Sequence, residues 1–143
     1  MSELLNKSQK SCDAAEALIT QHGFFAASVH CSYYSCIQLI TYAFYYVLPP
    51  LTGVTKQQFV HNSSYNRGGL GSHEYLHSEM KKAITARATL QDAVAFDSTI
   101  KALKRTRTDA DYKEHVINDI ISREAQKKSI AVNTIIKSIF SIT

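Results

Sequence analysis

The sequence predicts an all-α fold, an up-and-down helical bundle of about five helices built on two long antiparallel ones. Three observations carry that expectation. Breakers are scarce: the 143 residues include five Gly and two Pro, and all but Gly23 lie between Pro49 and Gly71. Apolar residues recur at three- and four-residue spacing over long stretches. No alternating apolar–polar run is long enough for a sheet. With 45% hydrophobic and 20% charged residues, the composition is globular and excludes a disordered or collagen-like chain. Residues 1–143 read as a single domain, long enough to bury one real core.

Helix 1 is expected over residues 2 to about 21. Leu4, Leu5, Ser8, Cys12, Ala15 and Ile19 form one stripe there, with Lys7, Lys10, Asp13 and Glu16 elsewhere. His22-Gly23 supplies the stop, because Gly tolerates a left-handed cap. Helix 2 follows over residues 24–48 and ends at Pro49-Pro50, which cannot continue it. A two-residue break between two long helices dictates an antiparallel hairpin. Residues 51–72, rich in Gly, Asn, Ser and Thr, read as a surface loop holding at most a short turn. Ser72 reads as the N-cap of helix 3, whose buried stripe is Tyr75, Leu76, Met80, Ala83 and Ile84. Helix 4, from about 91 to 106, has Ala93, Phe96, Ile100 and Leu103 spaced three, four and three. The last helix, roughly 116–142, carries Ile121, Ala125, Val132, Ile136 and Phe140 on one side.

Charge and cysteine narrow the setting. The chain's net charge is +4, yet residues 81–107 hold seven basic residues against two acidic ones, a local net of +5. A basic face of this kind attracts phosphate. Cys12, Cys31 and Cys36 cannot pair completely and match no zinc or redox spacing, which points to a reduced, cytoplasmic compartment. The opening MSELLNKSQKS lacks the basic-then-apolar order of a signal peptide. No Asp, Glu, Lys or Arg occurs between Ala17 and Thr55, a stretch long enough to span a bilayer. Its five tyrosines, serines and His30 would need polar partners in hydrocarbon, and no basic cluster flanks it. A core helix enclosed by its neighbours is the expected reading, and no membrane partner is expected.

If helix 4 continues by four residues, its buried stripe reaches Arg107. Asp111 then follows one turn on, where a carboxylate meets a guanidinium. The pair either fixes the junction to the last helix or leaves Arg107 facing a groove where it binds phosphate. Tyr33 and Tyr34 read as core or interface residues, or as a stacking surface lining the cleft with Arg107. His30 reads as a hydrogen-bonded core histidine. No metal set is present, and Arg67-Gly68-Gly69-Leu70-Gly71 lacks the spacing, Lys and strand of a phosphate loop. Neither metal nor cofactor is expected.

Residues 103–112 read LKRTRTDADY, and Arg107-x-x-Ala110-Asp111-Tyr112 resembles the R-x-x-A-D-Y signature of one branch of bacterial HEPN-domain proteins. The run from Phe24 to Ser28, followed by Tyr33-Tyr34-Ser35, is similar to the second helix of that superfamily. His73 after Gly71-Ser72 resembles the Gly-x-His that opens the corresponding helix. The order of elements also agrees, so the resemblance covers nearly the whole chain.

The resemblance implies a small helical bundle that dimerises through its two long helices. Many relatives are metal-independent endoribonucleases of toxin–antitoxin, abortive-infection or CRISPR-associated systems, in which an Arg holds the scissile phosphate and a His assists proton transfer. Others are noncatalytic modules, often partnered with a nucleotidyltransferase. In this chain the only histidine after Arg107 is His115, with seven residues between them. On one continuous helix that is about 80° around and roughly 12 Å along, too far to serve one phosphate. Arg67 and His73 match the family spacing numerically, but they lie before helix 3. The leading expectation is therefore a homodimeric nucleotide- or nucleic-acid-associated module, with Arg107, Asp111, Tyr112, Tyr33, Tyr34 and Lys104 at its groove. Its partner would be a nucleotidyltransferase or another defence or stress protein. The alternatives are an endoribonuclease toxin using Arg107 and His115, and a structural dimer scaffold.

Overall fold

The computed structural model describes residues 2–143, and among them the chain is all-helical. Helix α1 (Glu3–Ala17) runs on through a π-type turn, Leu18–His22, and α2 (Phe25–Tyr42) through a second, Ala43–Val47. Then come α3 (Pro49–Thr52), α4 (Lys56–Tyr65), α5 (Ser72–Arg87), α6 (Leu90–Tyr112) and α7 (Asp119–Phe140). Two of these were not expected. Residues 51–72 are not an irregular loop, since they contain α4 and the end of α3. A reciprocal cap starts α4: Thr55 Oγ1 accepts from Gln58 N at 3.1 Å while Gln58 Oε1 accepts from Thr55 N at 2.8 Å. Phe59 then pins the helix to the core by stacking on Phe44, with ring centroids 4.3 Å apart. Pro49-Pro50 ends the α2 run as expected, yet it also opens α3, because proline suits the first turn of a helix.

Other boundaries move for local reasons. Gly71, not Ser72, occupies the N-cap of α5 and makes no side-chain cap. Helix α6 persists to Tyr112, six residues beyond the expected end, which carries Arg107 and Asp111 on one helix. Helix α7 begins at Asp119, where Asn118 Oδ1 accepts from Ile121 N at 2.9 Å, so Val116 lies outside it and is 87% exposed. Gly23 adopts φ +63° at the end of the first π-type turn, the left-handed stop expected of it.

Helix α2 sits at the centre, packed against α1, α5, α6 and α7. Val29, Tyr33, Cys36, Leu39 and Ile40 along it are fully buried, which accounts for the absence of charge in this segment. The first two helices run antiparallel: Ser28 Oγ donates to Ala15 O at 2.8 Å, and Ser8 Oγ to Ser35 O at 2.7 Å. Small hydroxyls let the helices approach closely while each finds a backbone acceptor. Helix α7 closes the same seam through Ser35 Oγ and Ser129 Oγ, 2.9 Å apart. No described helix is long and apolar enough to cross a membrane. Cys12, Cys31 and Cys36 are free thiols, and burial pushes Cys36 up to about 12.

The core is continuous from α1 to α7, with Phe96, Ile100 and Leu103 of α6 fully enclosed. Ile100→Ala should therefore cost about 2–5 kcal/mol, read from urea denaturation. Val94→Ala on the exposed face of the same helix should stay within about 0.5 kcal/mol.

Candidate functional site

The site begins with one buried hydroxyl. Tyr33 has no solvent exposure, and a buried phenol requires a hydrogen-bond partner. Its oxygen lies 3.1 Å from His73 Nδ1 and 3.2 Å from His77 Nε2, both on α5. A phenol carries a single proton, so it donates to no more than one imidazole and must accept from the other. Burial, then the cations Arg107 and Lys104, lowers the pKa of His73. His77 is lowered to about 4, chiefly by burial and next by Lys104. Burial raises Tyr33 well above the usual phenol range despite the opposing pull of Arg107. The trio is thus neutral near pH 7.

On the other face of Tyr33 lies Arg107. Helix α6 delivers it into the core as its periodicity predicts, 7% exposed. Its guanidinium carbon stands 4.9 Å from the Tyr33 ring centroid, 5.8 Å from that of Tyr34 and 5.9 Å from that of Tyr112. Such cation–π contacts favour the charge. Burial opposes the charged form, but Tyr33, Tyr34 and Asp111 outweigh it and hold the arginine above its ordinary value. The nearest carboxylate is Asp111, whose Oδ2 is 3.5 Å from Nη1, longer than a good hydrogen bond. That same oxygen is 2.9 Å from His30 Nδ1. The Nε–H of Arg107 is buried and has no hydrogen-bond partner among the described residues. This Nε–H is sealed from solvent and left unsatisfied, which carries a desolvation cost in the structure as it stands.

The remaining expected residues fall around this cage. The Tyr34 ring stacks on His30 at 4.5 Å and meets His73 edge-on at 5.6 Å. Tyr112 is 75% exposed beside the guanidinium, open for stacking. Lys104 pairs with Glu74, which holds Glu74 below the usual carboxylate range. His115 lies in the link after α6 and is exposed. His30 is not a core histidine, since 47% of its side chain is exposed and it bonds Asp111 at the surface. Arg107 does not line the groove of about 450 Å³ between α5 and α6; His77, Glu74 and Lys104 do. Sequence reasoning missed His77 and Glu74. The signal was available for the first, because His73 and His77 are four apart and so share a helix face.

Protein-family models, curated proteins and solved structures were compared with the chain, and none matches.

Two outcomes follow from the cage. Between pH 6.5 and 4 an unfolded His77 binds a proton that the folded one refuses, so stability rises with pH across that window. It should be complete above pH 6.5 and fall by about 3 kcal/mol as pH drops to 4. Denaturation midpoints measured at both ends should show a smaller drop in His77→Gln. Tyr33→Phe leaves the two imidazole contacts unmet, and should cost about 1–3 kcal/mol in urea denaturation at pH 7.5.

Proposed function

We propose that this chain is a HEPN-like nucleotide- or nucleic-acid-associated interaction module in which Arg107 seats a phosphate. The observation that carries the reading is the arginine itself: more than nine-tenths buried, with an unpartnered Nε–H and its nearest carboxylate at 3.5 Å. Pure structural pairing would use the planar fork bidentately. Here Asp111 offers one oxygen at long range and gives that oxygen first to His30. A phosphate oxygen would complete the fork once the exposed Tyr112 and the Asp111 side chain move aside, because the Nε is sealed from solvent as the chain stands. Tyr112 would stack on the attached base, and Tyr33 and Tyr34 would hold the arginine plane in place. Lys104, tied to Glu74, would add field at the margin. The module would act in the cytoplasm as a homodimer, alongside a nucleotidyltransferase or another defence or stress protein.

The scaffold reading has a specific observation in its favour, namely that Tyr33, Tyr34 and Asp111 already surround Arg107. The ribonuclease reading with His115 has less, because α6 stops at Tyr112 and His115 stands apart on an exposed link.

Calorimetric titration with adenosine 5′-monophosphate separates these. Wild type should bind, and Arg107→Lys, which keeps the charge but loses the fork, should bind at least tenfold more weakly, about 1.4 kcal/mol. No binding by wild type, or equal affinity for both, would favour the scaffold. A mixed RNA pool incubated in EDTA should remain intact with either protein. Cleavage by wild type alone, leaving 2′,3′-cyclic phosphate ends, would replace the module by the ribonuclease.

A further inference from the structure

We propose that the groove between α5 and α6 is a second phosphate subsite, so that the ligand is a single-stranded oligonucleotide rather than a mononucleotide. This rests on the Arg107 reading for where the strand begins, but its evidence is separate. The groove holds about 450 Å³ and is lined by Lys81, Lys101, Lys104 and Arg105 against Asp97 and Glu74. Four cations facing two carboxylates leave the lining at +2.

The pairing within the groove shows where that surplus sits. Asp97 Oδ2 is shared by Lys101 at 2.9 Å and Lys81 at 3.3 Å, so two ammoniums answer one carboxylate. Burial pushes Asp97 up, but the bonds from Lys101 and Lys81 outweigh it and keep it ionised, below its ordinary value. Lys104 and Glu74 cancel. Arg105 is exposed and has no carboxylate within ion-pair distance among the described residues. The Lys81 and Lys101 side chains are 42% and 58% exposed. Ion pairs that open to water are worth less than about 1 kcal/mol, so either ammonium can turn to a phosphate at little cost.

A buried group also opens on the groove. His77 is 2% exposed, yet it lines this space, and its Nε2 is occupied by Tyr33. That leaves Nδ1 of an uncharged imidazole for a ligand oxygen or hydroxyl. Tyr33 joins the two subsites: its ring centroid is 4.9 Å from Arg107 Cζ and 6.1 Å from the His77 ring. Arg107 Cζ is therefore at most ~11 Å from the His77 ring that lines the groove, so one extended strand can pass from the arginine to the groove wall. Beyond the groove, a further hollow lined by Lys104, Arg105, Thr108, Asp109 and Lys113 continues along α6, with Lys113 paired to Asp109 at 3.3 Å. Lys101, Lys104 and Arg105 share one face of α6 over about 6 Å of helix axis, with Arg107 turned inward from it. Cations strung along an axis suit a strand, whereas a mononucleotide is better held by a closed pocket.

The test uses fluorescence anisotropy of a labelled decauridylate across a salt series, beside calorimetry with adenosine 5′-monophosphate. The groove variant is the double charge reversal Lys101→Glu/Arg105→Glu; both sites are exposed, and a thermal melt confirms folding. Wild type should bind the decamer with a log–log salt slope steeper than about −1.4, the value for two phosphates on a single strand. The variant should bind it at least tenfold more weakly with a flatter slope, and bind the monophosphate within twofold of wild type. A decamer affinity unchanged by the reversal, or no tighter than that of the monophosphate, overturns the groove subsite and leaves the Arg107 seat standing. If the decamer responds to the reversal while neither ligand responds to Arg107→Lys, the groove stands and the Arg107 seat falls.

Discussion

The hydroxyl of Tyr33 must find partners inside the protein, and much of the candidate site is the answer to that requirement. Helix α2 is packed by other helices along most of its length, so it can carry no charge, and its polar atoms need partners from its neighbours. Serines on α2 have short reach, bonding only what packs directly against them, as Ser28 does with Ala15 O and Ser35 with Ser129 Oγ. Tyr33 projects further, to the far side of the α2–α5 seam, where His73 and His77 meet it. Those contacts tie α5 to α2, and the ring's free face is where α6 lays Arg107. One side chain thereby orients elements from three separate parts of the chain.

The electrostatics follow from the same burial. A buried and a half-buried imidazole near the cations Lys104 and Arg107 are kept neutral, while the guanidinium over the Tyr33 ring is kept charged. The difference lies in chemistry. Imidazole can shed its proton near physiological pH, whereas arginine cannot and must be compensated by π faces or anions. The cage supplies three tyrosine rings but only half of a carboxylate's attention, because Asp111 also serves His30. That imbalance makes Arg107 the residue on which a functional reading can rest.

Much of the fold was legible in the sequence wherever the stripes were long. Helices α1, α2, α5, α6 and α7 all announce themselves through three- and four-residue spacing, and the Pro49-Pro50 and Gly23 stops act as their chemistry requires. Helix α4 was not legible by that means. It buries a single residue, Phe59, and its start depends on the Thr55–Gln58 cap, a local bond that polar composition conceals. Arg107 and Asp111 were placed together by their spacing alone, as were the tyrosine neighbours Tyr33 and Tyr34. The link of His30 to Asp111 spans 81 positions, and that of Tyr33 to His77 spans 44, distances at which no periodicity speaks.

By itself, then, the sequence determined that the chain is helical, that its uncharged segment is the central helix, and that Arg107 turns inward with Asp111 one turn beyond. The last of these requires the fourth predicted helix to run on past residue 106, as α6 does. Each of these is a consequence of local spacing, because helix geometry repeats every few residues. Only the tertiary structure decided which histidines attend the arginine, that His30 stands at the surface, and that the open groove lies beside His77 instead of over Arg107. Those outcomes depend on how α2, α5 and α6 cross. The crossing is set by the packing of the whole core, which no single stretch of sequence records.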